Sequence, residues 1–183
     1  MSSVKKICTT AFCIALCYVL PLLFHAMALG MAFSPLHLPV LLCGLLCGWP
    51  YGVLCGIAGP IVSSVLSGMP AASQLIYMCP ELCVYGLVAG LGMQFIRSGR
   101  SLVDIYLSLL PAMVLGRVAG GVVRAAFFLA NAQSYSVAMW ASAYVVGTMP
   151  AIIMQLVVLP VLVLALTRAG LVPRRYAGRS PAV

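Results

Sequence analysis

Charge is the scarcest property of this chain. Of its 183 residues only 7% are Asp, Glu, Lys or Arg, and just two of those are acidic, Glu81 and Asp104. A water-soluble domain needs several times as much charge to cover its surface, so the composition, 64% hydrophobic, excludes a soluble fold and indicates the bilayer. Histidine is almost absent, at two residues, and no C-x-x-C occurs, which leaves little from which to build a zinc site. H-E-x-x-H, G-x-S-x-G and G-x-x-x-x-G-K-[ST] are all missing, which removes the familiar signals of a metalloprotease, a serine hydrolase and a nucleotide phosphate loop. No ring of like charges is legible, so an ion channel is not indicated.

The basic residues that are present sit at the ends of apolar runs, not on a basic face. That distribution speaks against nucleic acid and for topology. Lys5 and Lys6 precede the first run, Arg97 and Arg100 lie between runs, and Arg168, Arg174, Arg175 and Arg179 follow the last. The positive-inside rule places all three groups in the cytoplasm. The opening "MSSVKKICTTAFCIALCYVLPLLF" has a charged start like a signal peptide, but its apolar part is too long and no A-x-A-like site follows. It reads as a first transmembrane helix.

A span needs about 20 apolar residues. Runs at 7–29, 72–96, 103–130 and 141–167 meet that length. The segment 38–67 is too long for one helix, about 45 Å at 1.5 Å per residue, and too short for two full spans. "GWPYG" at 48–52 breaks it. The expectation is an all-α integral membrane protein of six transmembrane helices, two of them short (about 37–48 and 51–67), with both termini cytoplasmic. One domain covers 1–183, with 171–183 a flexible cytoplasmic tail beside anionic lipid. The loops 30–36, 68–72 and 131–140 carry no Lys or Arg and face outside.

Three charged residues fall at membrane depth, where each is a functional candidate. Glu81 lies about 13 Å below the outer end of its helix, and Arg117 about 9 Å below the outer boundary. These depths allow an ion pair or a shared ligand. Arg124 is seven residues on, on nearly the same face, and either joins them or snorkels to the headgroups. Gln74, Tyr77 and Glu81 form one helical stripe, and Pro80 frees a carbonyl beside it. Tyr85, Asn131, Tyr135, Trp140, Tyr144 and Gln155 add polar or amphipathic groups. Trp140 is either part of the site or part of an interfacial belt. His37, set between two prolines in "GMAFSPLHLPVLLCG", is either a satisfied core histidine or a ligand contact. Together these residues describe an outward-facing, mostly apolar cavity for a small amphipathic molecule. The eight cysteines, three pairs of them at i,i+4, read as soft packing residues and not as a metal or redox centre.

"SPLHLPVLLCGLLCGWPYGVLCGIAGPIVSSVLSGMP" at 34–70 and "PELCVYGLVAGL" at 80–91 resemble the S components of energy-coupling factor (ECF) transporters, and "AFCIA" at 11–15 is similar to their small-xxx-small pattern on helix one. The resemblance runs over nearly the whole chain. It implies a bacterial multi-pass plasma-membrane protein that binds a vitamin or related micronutrient from outside with high affinity. It implies docking on a transmembrane T component and two ATPases, with ATP and Mg in those partners and no cofactor in this chain. The same resemblance makes the segment at Phe33, Ser34, Pro35 and Leu36 part of a gate over the ligand, residues 30–36, and Ala11 and Ala15 the docking surface. His37, Gln74, Tyr77, Glu81, Arg117, Arg124, Asn131 and Tyr144 are the candidate ligand contacts. The Met-His start of nickel and cobalt members is replaced by "MSSVKK", so a metal substrate is not expected.

The substrate stays open between pantothenate, a pyridoxine- or pyrimidine-type vitamin and a queuine-like base. Two other readings compete with transport. One is a small membrane enzyme with Glu81 as acid or base and Arg117 as anion clamp; the other is a non-catalytic assembly subunit. Glu81→Gln separates binder from enzyme, because it changes affinity in the first and abolishes turnover in the second.

Overall fold

The structure is a computed structural model that describes residues 1–27 and 33–173. Among the described residues it is all-helical. The elements are α1 (Ser3–Ala26), α2 (His37–Cys47), α3 (Trp49–Ser67), α4 (Ala72–Phe95), α5 (Ser101–Ala130), a short α6 (Val137–Ala141) running into a π-helical turn (Ser142–Val146), and α7 (Met149–Arg168). Five of them, α1, α3, α4, α5 and α7, are long and apolar enough to cross a membrane. Successive elements from α1 to α5, counting the short α2, alternate in direction, and α7 runs against α5. Cys17 of α1 reaches the Leu36 carbonyl and Cys47 the Lys6 carbonyl, which sets α2 against α1 head to tail. Tyr106 of α5 likewise donates to the Leu156 carbonyl of α7. The ends near Lys5, Lys6, Arg97, Arg100 and Arg168 therefore gather at one end of the bundle, here the basic end, and the 68–71 and 131–136 connections at the far end.

The expectation of two short tilted helices over 37–67 is corrected. Only α2 is short, at 11 residues, while α3 has 19 and is long and apolar enough to cross. The break is the single residue Gly48, not the whole of "GWPYG". Gly48 adopts φ 94, ψ 174, a region essentially closed to residues with a Cβ. Pro50 sits in the first turn of α3, where its missing N–H breaks no helical bond. A Cβ at Gly48 would have no neighbour nearer than 4.0 Å. Gly48→Ala is therefore expected to lose about 1–3 kcal/mol through backbone strain alone, read as a lowered thermal midpoint in detergent with ligand binding retained once folded.

At 1.5 Å per residue α2 rises about 16 Å, half of a hydrocarbon core of about 30 Å. It is apolar all round, and nine of its eleven residues are buried, which marks a helix enclosed by others. Its start, His37, thus lies at mid-depth inside the bundle. The last helix also differs from expectation. It begins at Met149 and not near 141, and the assumed loop 131–140 already contains α6. The tail beyond Pro173 lies outside the described residues.

Glycine makes this packing possible. A Cβ at Gly44 would come 2.7 Å from the Gly86 carbonyl oxygen, and one at Gly52 would come 2.6 Å from the same atom. Gly86 and Gly90 pack directly on the backbones of Gly52 and Trp49. Helices α2, α3 and α4 thus meet backbone to backbone, as small residues allow in lipid. Five thiols, Cys13, Cys17, Cys43, Cys47 and Cys55, are buried where α1, α2 and α3 meet. Cys17 packs against Gly59, and Cys43 reaches Thr10 and the Tyr51 carbonyl. They act as compact core residues, as their sequence positions suggested.

Candidate functional site

The non-helical run before α2 sets the site. Ser34 takes φ 42, a left-handed conformation unusual for a residue with a side chain. Its carbonyl accepts both the His37 backbone N–H at 3.1 Å and His37 Nδ1–H at 3.2 Å. The ring's other nitrogen, Nε2, lies 3.1 Å from Glu81 Oε1. Both side chains are buried, His37 at 6% and Glu81 at 4% exposure. Because a carbonyl can only accept, Nδ1 carries a proton. The Nε2–Oε1 contact then holds one more proton, on whichever atom, so the pair is neutral as a unit. Tyr85, one turn below Glu81 and fully buried, meets the His37 ring edge-on at 5.0 Å. Its hydroxyl has no hydrogen-bond partner.

Arg117 lies level with Tyr85 and Glu81 along the bundle, next to Gly116, but it does not meet Glu81. The α5 residues opposite α4 are Gly120, against the Glu81 carboxyl, and Gly116, against the Tyr85 ring. Arg117, one position from Gly116, is turned about 100° away, toward the π-helical turn. Its Nε donates to the Tyr144 carbonyl at 2.9 Å and Nη1 to the Met113 carbonyl at 3.2 Å. Thr148 Oγ1 donates to the same Tyr144 carbonyl at 2.7 Å. The regular helix is interrupted at 147–148, between the π-turn and Met149, and the Tyr144 carbonyl there accepts from side chains, as irregular helix allows. Trp140 closes the arrangement, with its indole N–H donating to the Arg117 carbonyl at 3.2 Å and its ring against Gly121.

Arg124, two turns further on, lies over three rings: Tyr77 at 5.0 Å, Phe128 at 5.6 Å and Tyr144 at 5.9 Å. Its Nε is buried without a partner. Tyr135 packs on Phe128 at 5.4 Å, and its hydroxyl is also buried and unpartnered.

The structure thus brings His37, Tyr77, Glu81, Arg117, Arg124 and Tyr144 into one cluster. It leaves two of the expected contacts aside. Gln74 is exposed in the first turn of α4, and the Asn131 amide closes the end of α5 by donating to the Phe127 carbonyl at 2.7 Å. Of the gate, residues 30–32 lie outside the described residues. Pro35 and Leu36 are buried, Ser34 holds His37, and Phe33 packs on Phe24 at 5.4 Å. Tyr85 and Trp140 belong to the cluster, though sequence reasoning did not count them among the ligand contacts. The signal for Tyr85 was its i+4 spacing from Glu81. Gln155 is fully buried with both amide atoms unpartnered, about 9 Å along α7 from Met149 and apart from the cluster.

Ala11 and Ala15 are exposed on α1, on the face turned away from Cys13 and Cys17. A cavity of about 580 Å³ opens at the basic end beside Lys6, Trp49, Gln94, Arg97 and Thr167; none of Glu81, Arg117 and Arg124 lines it.

The far-half cluster supplies neutral hydrogen-bonding groups, ring faces and two guanidiniums around non-helical backbone. In a bilayer such backbone persists only where protein or a cavity covers it. Neither a curated protein nor a solved structure matches the chain. The family model of the ECF transporter substrate-specific component matches residues 5–163. With that match over most of its length, the chain belongs to the ECF transporter substrate-specific component family.

Proposed function

We propose that the chain captures a small vitamin or related micronutrient in the far half of its bundle and delivers it to an ATP-driven module made of a T component and two ATPases. As a member of its family it is a membrane substrate-binding subunit and not an enzyme. The observation that carries the finer reading is the cluster around His37 and Glu81, opposite the basic end, with the buried Tyr85 hydroxyl unpartnered in its midst. The positive-inside rule then puts the basic end, with both termini, in the cytoplasm of a bacterial plasma membrane, and the cluster toward the outside. Counting α2 with the five long helices gives six passes. His37, Tyr77, Glu81, Arg117, Arg124 and Tyr144 are the ligand contacts in this reading. Phe33, Ser34, Pro35 and Leu36 form the inner part of the gate.

The test is the ligand itself. Purified protein is expected to release one small metabolite on denaturation, identified by mass spectrometry, and to rebind it with submicromolar affinity. Absence of any bound or binding vitamin, together with unchanged uptake on deletion, would sink the proposal.

Docking has its own test. Ala11 and Ala15 are exposed, so Ala11→Leu and Ala15→Leu leave the core untouched while blocking close helix approach. Uptake into cells is expected to fall by about tenfold or more, the equivalent of about 1.4 kcal/mol of lost association, with ligand binding to the purified chain unchanged. Equal loss of both activities would show that this face is not a docking surface.

A further inference from the structure

The charge balance of the cluster goes further than the family does. We infer, resting on the binding role just proposed, that the ligand is a soluble organic anion. Its carboxylate is taken by Arg124, with Arg117 behind it. The whole chain has two acidic residues. Asp104 is in the first turn of α5 at the basic end, where it accepts from Ser98. Glu81 already has His37, and that pair sums to zero charge whichever atom holds the shared proton. Arg117 and Arg124 keep their protons. The cluster therefore carries two positive charges in the apolar part of the bundle, and no carboxylate side chain of this protein can balance them. Uncompensated charge at that depth is costly, and a bound anion offsets it.

The two guanidiniums are not equivalent. Arg117, at 7% exposure, is held by two backbone carbonyls. It contributes a fixed field and little freedom to move. Arg124 is half-buried and touches ring faces from α4, α5 and the π-turn. Ring faces attract a cation but leave its N–H groups free to donate. Its Nε and the Tyr135 hydroxyl, both buried and unpartnered, are the donors left for a carboxylate. A snorkelling arginine would instead extend its head into water. Deeper in, the Tyr85 hydroxyl is left for an uncharged hydrogen-bonding group of the ligand.

The experiment uses the full chain in detergent and matched pairs of probes that differ in one charge: pantothenate and pantothenol, nicotinate and nicotinamide, biotin and its methyl ester, lipoate and lipoamide. Binding is followed by tryptophan fluorescence. For the pair that binds, the acid is expected to be about 10- to 100-fold tighter than its uncharged partner, the range for a hydrogen bond to a charged group. Arg124→Gln is expected to bring the acid and its uncharged partner to within about threefold of each other, with Arg124→Lys restoring part of the difference. The wild-type comparison stands even where a variant does not fold. Equal affinity within a pair, or tighter binding of the uncharged member, overturns the inference and leaves the binding role intact. A second arm compares vesicles of phosphatidylcholine with and without phosphatidylglycerol. If Arg124→Gln removes only a stabilisation by phosphatidylglycerol and leaves acid binding unchanged, the anion is a lipid phosphate and the inference fails. If no probe binds and the purified protein releases no small molecule, the inference falls together with the binding role.

Discussion

Gly86→Val is expected to leave no folded protein to purify. Gly86 packs directly on the Gly52 backbone, and its own carbonyl oxygen receives Gly44 and Gly52 at distances that no Cβ tolerates. The opposing atoms are backbone, so no side-chain rotation relieves the overlap; α3 and α4 must part. Ordinary overpacking costs about 1–3 kcal/mol, and a backbone-on-backbone clash lies at or beyond the top of that range. Even Gly86→Ala is expected to lower the thermal midpoint in detergent by several degrees. Gly68→Ala is the control. It keeps a left-handed backbone, φ 72, but has nothing within 4 Å, so its loss is confined to strain of about 1 kcal/mol. Equal effects at the two positions would mean that the glycine contact does not hold α3 and α4 together.

Glu81→Leu is expected to destabilise the fold by about 3 kcal/mol, because it strands His37 in the interior without its partner. Glu81→Gln keeps the pair neutral. With Nδ1–H on the Ser34 carbonyl, the free Nε2 accepts from the new amide, so the loss is expected to stay within about 1 kcal/mol. The double change His37→Phe with Glu81→Leu removes both partners and is expected to recover part of the single-variant loss, a coupling of about 1–3 kcal/mol. Thermal unfolding of the four proteins reads it. Additive losses would show that the 3.1 Å contact contributes nothing to stability. Ligand affinity, measured on the same set, reports whether the pair also holds the 33–36 segment over the ligand.

Much of the frame was legible from spacing. Apolar run length placed α1, α4 and α5 within a few residues, and "GWPYG" announced a break. That Glu81 and Arg117 lie at similar levels followed from counting along their helices, and both do lie in one cluster. Their pairing did not follow. Which neighbour a side chain meets depends on helix rotation, and that is set by Gly116 and Gly120 lying flat against α4. His37 was read as either a core histidine or a ligand contact; the structure makes it Glu81's partner, since the short α2 starts at mid-depth. The π-turn that opens the Tyr144 carbonyl to Arg117 left no trace in hydrophobic periodicity, because one extra residue in a turn leaves composition unchanged.

Composition and the count of ten basic against two acidic residues by themselves determined that this chain belongs in a bilayer and that most of its basic residues have no acidic partner to spare. Those are sums over residues, and no fold can alter them. Only the tertiary structure decided that Glu81 meets His37, that Arg117 turns to backbone carbonyls and that Arg124 rests among three rings. These are relations between helices, set by close glycine contacts whose partners lie dozens of residues away.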